Sequence, residues 1–132
     1  MRAIILAAGL GTRLKPLTDK APKCLTEVNG KPILVNMLEA LEKEGIKNTD
    51  IVVGYLADAI KNKIGSKFNT ININYIENPI YDKTNSSYSL WLAVQHLNED
   101  ILILEGDVFF EEAILSDLMR NKNDSTVVEK YN

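Results

Sequence analysis

Four short apolar runs, residues 3–6, 51–53, 71–76 and 101–104, are separated by stretches whose apolar residues recur at helical spacing. No other feature of the chain constrains its fold so tightly. Strands that alternate with helices pair in parallel, and a parallel sheet is covered on both faces. Between the first two runs, residues 25–28 read as an extended piece closed by the turn Asn29-Gly30. Pro32 suits the first turn of a helix, with Ile33, Leu34, Met37, Leu38 and Leu41 as its apolar face and an end near Gly45. Leu56, Ile60 and Ile64 mark a short helix that stops at Gly65. Ser86 or Ser87 is placed to cap a third helix carrying Leu90, Trp91, Val94 and Leu97. A further helix is predicted over 111–120 and a last strand at 126–128.

The totals set outer limits. At 132 residues the chain is one domain or part of one, and 45% hydrophobic with 25% charged residues is ordinary globular composition. A net charge of -3 argues against a nucleic-acid-binding surface. A single cysteine excludes an internal disulfide and gives no zinc spacing, so an intracellular, cytoplasmic setting is expected. Gly9 and Arg13 interrupt the N-terminal apolar run before it reaches signal-peptide length. No apolar run is long enough to span a membrane.

In parallel sheets, ligands bind outside the carboxyl ends of the strands. The first strand runs into Gly9-Leu10-Gly11, followed by Arg13, Lys15, Lys20 and Lys23. Glu77-Asn78-Pro79 follows the third strand and Glu105-Gly106-Asp107 the fourth, so the topology brings a cationic glycine loop and a carboxylate to one crevice. Glycines let backbone N–H groups approach an anion, and Arg and Lys neutralise it. A carboxylate beside phosphates needs a cation between them, which makes Asp107 a candidate Mg²⁺ ligand. Such a set suits phosphoryl or nucleotidyl transfer, where positioning and charge stabilisation carry the catalysis. The glycines do not form a dinucleotide fingerprint, because Leu14 stands where the third should be, nor a P-loop, because Thr12-Arg13 follows Gly11. Lys15 and Lys20 read as solvated charges, Cys24 as a small packed residue, and His96 as structural or exposed. Tyr88 and Trp91 read as core and helix-end packing.

Taken whole, "LAAGLGTRLKPLTDKAPKCL" closely resembles the signature of the nucleotidyltransferases that activate sugar phosphates and phosphocholine. The resemblance implies a Rossmann-like three-layer α/β/α sandwich with a mostly parallel sheet, the nucleotide-diphospho-sugar transferase fold in truncated form. It implies that Leu6, Ala7, Ala8, Gly9, Gly11 and Thr12 wrap a nucleoside triphosphate. Arg13 and Lys23 become the catalytic cations, and Asp107 in "ILILEGDVFF" the residue that binds Mg²⁺. A second stretch, "ENPIYDKTNSSYSLWLA", looks like that of phosphocholine cytidylyltransferase and its relatives. Asn78, Asn85 and Ser86 are thereby placed near the nucleotide, and CTP is favoured. The implied reaction moves a nucleoside monophosphate to a phosphorylated small acceptor such as phosphocholine or a sugar phosphate, releasing pyrophosphate. A phosphate monoester has a second pKa of about 6, so it is already an anionic nucleophile at neutral pH and no general base is demanded.

The family pattern continues beyond residue 132 with an acceptor-binding region and usually a second metal-binding aspartate. Residues 1–132 are accordingly expected to form a nucleotide-binding part, with homo-oligomerisation through an uncovered sheet edge as a further expectation. A catalytically silent nucleotide-binding, regulatory or assembly module of the same fold is the rival reading. A nicotinamide dinucleotide-binding domain is disfavoured by Leu14 and by the displaced acidic residue, Asp58.

Overall fold

The structure, a computed structural model, describes residues 1–9, 21–121 and 123. In chain order the elements are β1 (Arg2–Ala7), a 3₁₀ turn (Lys23–Leu25), β2 (Glu27–Val28), β3 (Lys31–Pro32), α1 (Ile33–Lys43) and β4 (Asn48–Val53). They continue with α2 (Ala57–Ile64), β5 (Lys67–Phe68), β6 (Ile71–Glu77), α3 (Ser86–Val94), β7 (Ile101–Glu105) and α4 (Glu112–Arg120). The main sheet has five strands in the order β5-β6-β4-β1-β7. β6, β4, β1 and β7 are mutually parallel, and only the two-residue β5 runs antiparallel, against β6.

This order explains the layers. The chain steps from β1 to β4 to β6 in one direction and then crosses back to place β7 on the other side of β1. Parallel crossovers keep one hand, so reversing the direction moves the connecting helix to the opposite face. α1 and α2 accordingly pack on one face, with Leu34, Met37, Leu38, Leu41, Ile60 and Ile64 against Ala3, Ile5, Ile51 and Val53. Leu115 of α4 joins the same core. α3 covers the other face, where Ala93 meets Ile4, Leu6 and Val52 with Leu90, Val94 and Leu97 beside them. The three-layer α/β/α expectation holds.

Several boundaries differ from the sequence reading, each for a physical reason. β4 begins at Asn48 rather than Ile51, because its polar residues are absorbed: Asp50 is 2% exposed and accepts a 2.8 Å bond from Arg2 Nη1. Residues 25–28 are not one extended piece; a 3₁₀ turn precedes the β2–β3 hairpin. Asn29 (φ 55°) and Gly30 (φ 78°) make the hairpin's two-residue turn, the positive-φ pair that strand twist favours. The cap of α3 is Asn85, whose side chain accepts from the N–H groups of Ser87 and Tyr88, rather than Ser86 or Ser87. Trp91 lies outside the core at 55% exposure, because Leu90, Ala93, Val94 and Leu97 take the face toward the sheet. Tyr88 stacks on it, with ring centroids 5.6 Å apart. The strand expected at 126–128 lies outside the described residues.

Candidate functional site

Strand order reverses between β1 and β7, and the carboxyl ends of these strands define the site. Gly106 turns the chain at the end of β7, its N–H donating to Leu6 O at 2.8 Å. A Cβ at Gly106 would stand 2.6 Å from that same oxygen, so only glycine permits the approach. The turn sets Asp107 beside the chain that returns from the glycine loop. Lys23 Nζ donates to Asp107 Oδ2 at 2.8 Å, a pair formed across 84 residues of sequence. The cation and carboxylate that the resemblance picked out are therefore partners.

At the same carboxyl edge of the sheet lies a cleft of about 210 Å³. Leu6, Ala8 and Gly9 at the end of β1 form one side, and Asn78, Tyr81 and Thr84 after β6 form another. Asn85, Ser86 and Ser89 at the start of α3 complete it. Among the described residues, a Cβ added to Gly9 would meet nothing within 4 Å. Ala7 belongs to the opposite face of β1, in the core under α1. Of the residues expected at the nucleotide, Leu6, Ala8, Gly9, Asn78, Asn85 and Ser86 are thus brought together. Gly11, Thr12 and Arg13, with Lys15 and Lys20, lie outside the described residues.

Asn78 takes a role that spacing could not assign. It is 2% exposed, and its Nδ2 donates to Thr84 Oγ1 and to Ser89 Oγ, each at 3.1 Å. Its Oδ1 accepts from Ile80 N–H at 3.0 Å. The amide thus ties the loop after β6 to α3 and shapes one wall of the cleft. Asn85 spends its carbonyl oxygen on the helix cap, and among the described residues its Nδ2 bonds no protein group.

Electrostatics centre on Glu105 and Asp107. Burial pushes the Glu105 carboxyl above its ordinary range, the charge of Asp107 adds to the effect, and a hydrogen bond with Ser86 opposes it. No motif singles out Glu105 or Tyr81 in the sequence; the signal available for Glu105 is strand parity, which turns it toward α3, where it meets Ser86. Cys24 is 2% exposed and burial raises its thiol to about 12, consistent with an inert packed residue. His96 is exposed. Among the described residues no three His, Cys, Asp or Glu side chains converge as a metal cage, and no helix is long and apolar enough to cross a membrane. One carboxylate with a second close by is still a donor set that fits Mg²⁺, which is commonly held by one or two carboxylates plus substrate phosphates.

Sheet order, a cleft bordered by Gly9 and a cation–carboxylate pair at the strand ends together describe a Rossmann-like α/β domain. The chain belongs to the nucleotidyl transferase family, whose model matches residues 2–129. It is 39% identical over 124 residues to choline-phosphate cytidylyltransferase of Streptococcus pneumoniae, covering 92% of this chain and 51% of that protein. It is 42% identical over 118 residues to CMP-5'-(3-aminopropyl)phosphonate synthase of Streptomyces rubellomurinus, covering 89% of this chain and 19% of that protein. The solved structure of CTP:phosphocholine cytidylyltransferase from Streptococcus pneumoniae superimposes with a TM-score of 0.69 at 38% identity. That match covers 85% of this chain and 49% of the other. The chain thus spans at most about half the length of these relatives.

Proposed function

We propose that residues 1–132 carry the nucleotide-binding part of a cytidylyltransferase, which moves CMP from CTP to a phosphorylated small acceptor and releases pyrophosphate. The observation that carries the reading is the Lys23–Asp107 pair, 2.8 Å long, at the same carboxyl edge of the sheet as the cleft. The names of the relatives support it: those described above act with cytidine nucleotides on phosphocholine or yield a CMP-phosphonate.

In this reading the base enters the cleft between Ala8, Tyr81 and Ser89, and the triphosphate runs along the glycine loop toward Lys23. An oxygen of the acceptor phosphate attacks the α-phosphorus. One O–P bond forms, the bond to the β-phosphate bridging oxygen breaks, and pyrophosphate carries the electron pair away. Lys23 and Arg13 balance the charge that gathers on the leaving group. Asp107, with Glu105 beside it, would hold Mg²⁺ against the phosphate oxygens; when bound, the ion neutralises phosphate charge that the carboxylates would otherwise repel.

The test is calorimetric titration of the chain with each of the four nucleoside triphosphates in the presence of Mg²⁺, beside a pyrophosphate-release assay with phosphocholine and with a sugar phosphate. CTP binding above the other three supports the reading. Absence of binding to any triphosphate overturns it. Binding without release under any acceptor matches the silent-module reading for these residues.

A further inference from the structure

We propose that Gly54 is a positioning residue for nucleobase recognition: its missing side chain lets Tyr81 lie against the end of β4 and wall the cleft with an aromatic ring. The inference rests on the nucleotide reading above and adds to it the means by which the base is held.

Gly54 follows the last residue of β4, and the neighbouring Tyr55 N–H donates to Ala8 O at 3.2 Å, which fixes this corner to the end of β1. Among the described residues the positive-φ glycines are Gly30, Gly45 and Gly65; Gly54 is not one of them, so its backbone conformation does not call for glycine. Space does. A Cβ built at Gly54 would lie 2.7 Å from Tyr81 Cβ, Cγ and Cδ1 alike. Rotation of the ring cannot relieve that clash, because Tyr81 Cβ moves only with the main chain.

The main chain is held. Asn78 N–H donates to Val53 O at 2.8 Å, Lys83 N–H to Ile80 O at 3.0 Å, and Thr84 Oγ1 to Ile80 O at 2.8 Å. The buried Asn78 amide adds its own ties to Ile80, Thr84 and Ser89. Any side chain at position 54 must therefore push the whole loop, and with it the ring. Tyr81 is itself half-buried, tilted at 54° to Tyr55 with centroids 6.3 Å apart, and it packs on the α3 face beside Leu6 and Ala8. An aromatic ring in a cleft with hydroxyl and amide neighbours meets the two demands of a base, a stacking face and polar partners. At about 210 Å³ the cleft is smaller than the ~300–1,000 Å³ of drug-sized pockets, which suits a single-ring base.

The experiment is calorimetric titration of CTP and of inorganic tripolyphosphate, each with Mg²⁺, into the parent chain, Gly54→Ala, Tyr81→Phe, Tyr81→Gly and the double variant Gly54→Ala/Tyr81→Gly. Tyr81→Gly is expected to weaken CTP by about 5- to 150-fold, the usual worth of one base–aromatic stack, and to leave tripolyphosphate unchanged. Tyr81→Phe should keep CTP affinity. Gly54→Ala should weaken CTP selectively, and should add nothing once Tyr81→Gly has removed the atoms it strikes. Unchanged CTP affinity in a folded Gly54→Ala, an equal loss for tripolyphosphate, or a loss that persists in the double variant overturns the inference while the nucleotide reading stands. A parent chain that binds tripolyphosphate but gains nothing from the base overturns it too, and one that binds no triphosphate at all takes the nucleotide reading with it. Should Gly54→Ala fail to fold, the contrast between Tyr81→Phe and Tyr81→Gly decides.

Discussion

Replacing Asn78 with alanine should destabilise the chain more than any other change at the cleft, and the size of the loss can be worked out bond by bond. The side chain makes three hydrogen bonds: to Thr84 Oγ1 and Ser89 Oγ at 3.1 Å each, and from Ile80 N–H at 3.0 Å. At about 0.5–1.5 kcal/mol net per bond, their removal amounts to roughly 1.5–4.5 kcal/mol. Two effects act against each other at this point. The residue is 2% exposed, so the freed groups are left buried without partners, which raises the cost. Thr84 borders the cleft and is only partly buried, so water can reach its hydroxyl, which lowers it. A central value of about 2–3 kcal/mol follows, equivalent to a fall in melting temperature of roughly 6–15 °C for a chain between the small and medium size classes. Ser89→Ala removes one bond and should cost about a third as much. Thermal unfolding followed by circular dichroism measures both. A melting temperature for Asn78→Ala within about 2 °C of the parent, less than one such bond is worth, would refute the assignment of Asn78 as the tether between loop and helix.

Arg13→Ala should weaken triphosphate binding by about 1.5–3 kcal/mol, the range for hydrogen bonds to charged groups, and calorimetry on a folded variant showing unchanged affinity would remove Arg13 from the phosphate site. Asp107→Asn should abolish most of the stimulation of nucleotide binding by Mg²⁺, read by titration with and without the ion; full stimulation in the variant would assign the ion to the triphosphate alone. Cys24, with its thiol raised from 9.0 to about 12 by burial, should resist a colorimetric thiol reagent at pH 8 in the native chain and react at once in urea. The folded state holds this proton more tightly than the unfolded chain, so the contribution is intact below pH 9 and stability declines as pH rises toward about 12. Cys24→Ala should flatten that decline, and an unchanged slope in denaturant titrations across that range would show that the thiol does not cause it.

What could be read beforehand followed from local rules. The strand–helix alternation gave the parallel sheet and both covered faces, because burial on two sides demands continuous apolar runs such as residues 3–6. Asn48, Thr49 and Asp50 hid the start of β4, since a buried aspartate reads as a loop residue until Arg2, 48 positions away, is known to meet it. The choice of Asn85 over two adjacent serines as the cap of α3 turned on one residue of register, which periodicity does not resolve. That Lys23 and Asp107 meet at the strand ends was legible through topology and a family signature. Neither could disclose that Asn78 is a buried tie or that Gly54 makes room for Tyr81, because both facts belong to contacts between segments that share no sequence pattern.

The placement of β7 has a further consequence, in time rather than in space. Among the described residues, those that wall the cleft lie between Leu6 and Ser89, whereas the partner of Lys23 arrives only with Asp107, after β7 has paired with β1. At about 5–20 residues per second, a ribosome needs roughly 1–4 s to add the stretch that separates the two. A nascent chain can thus assemble the wall of its cleft while β1 still has one unpaired edge and Lys23 no carboxylate. Closing that edge is also the step that completes the site's charge, so a chain stalled before β7 would combine a formed cleft with an open strand, a species prone to pairing with its neighbours on a polysome.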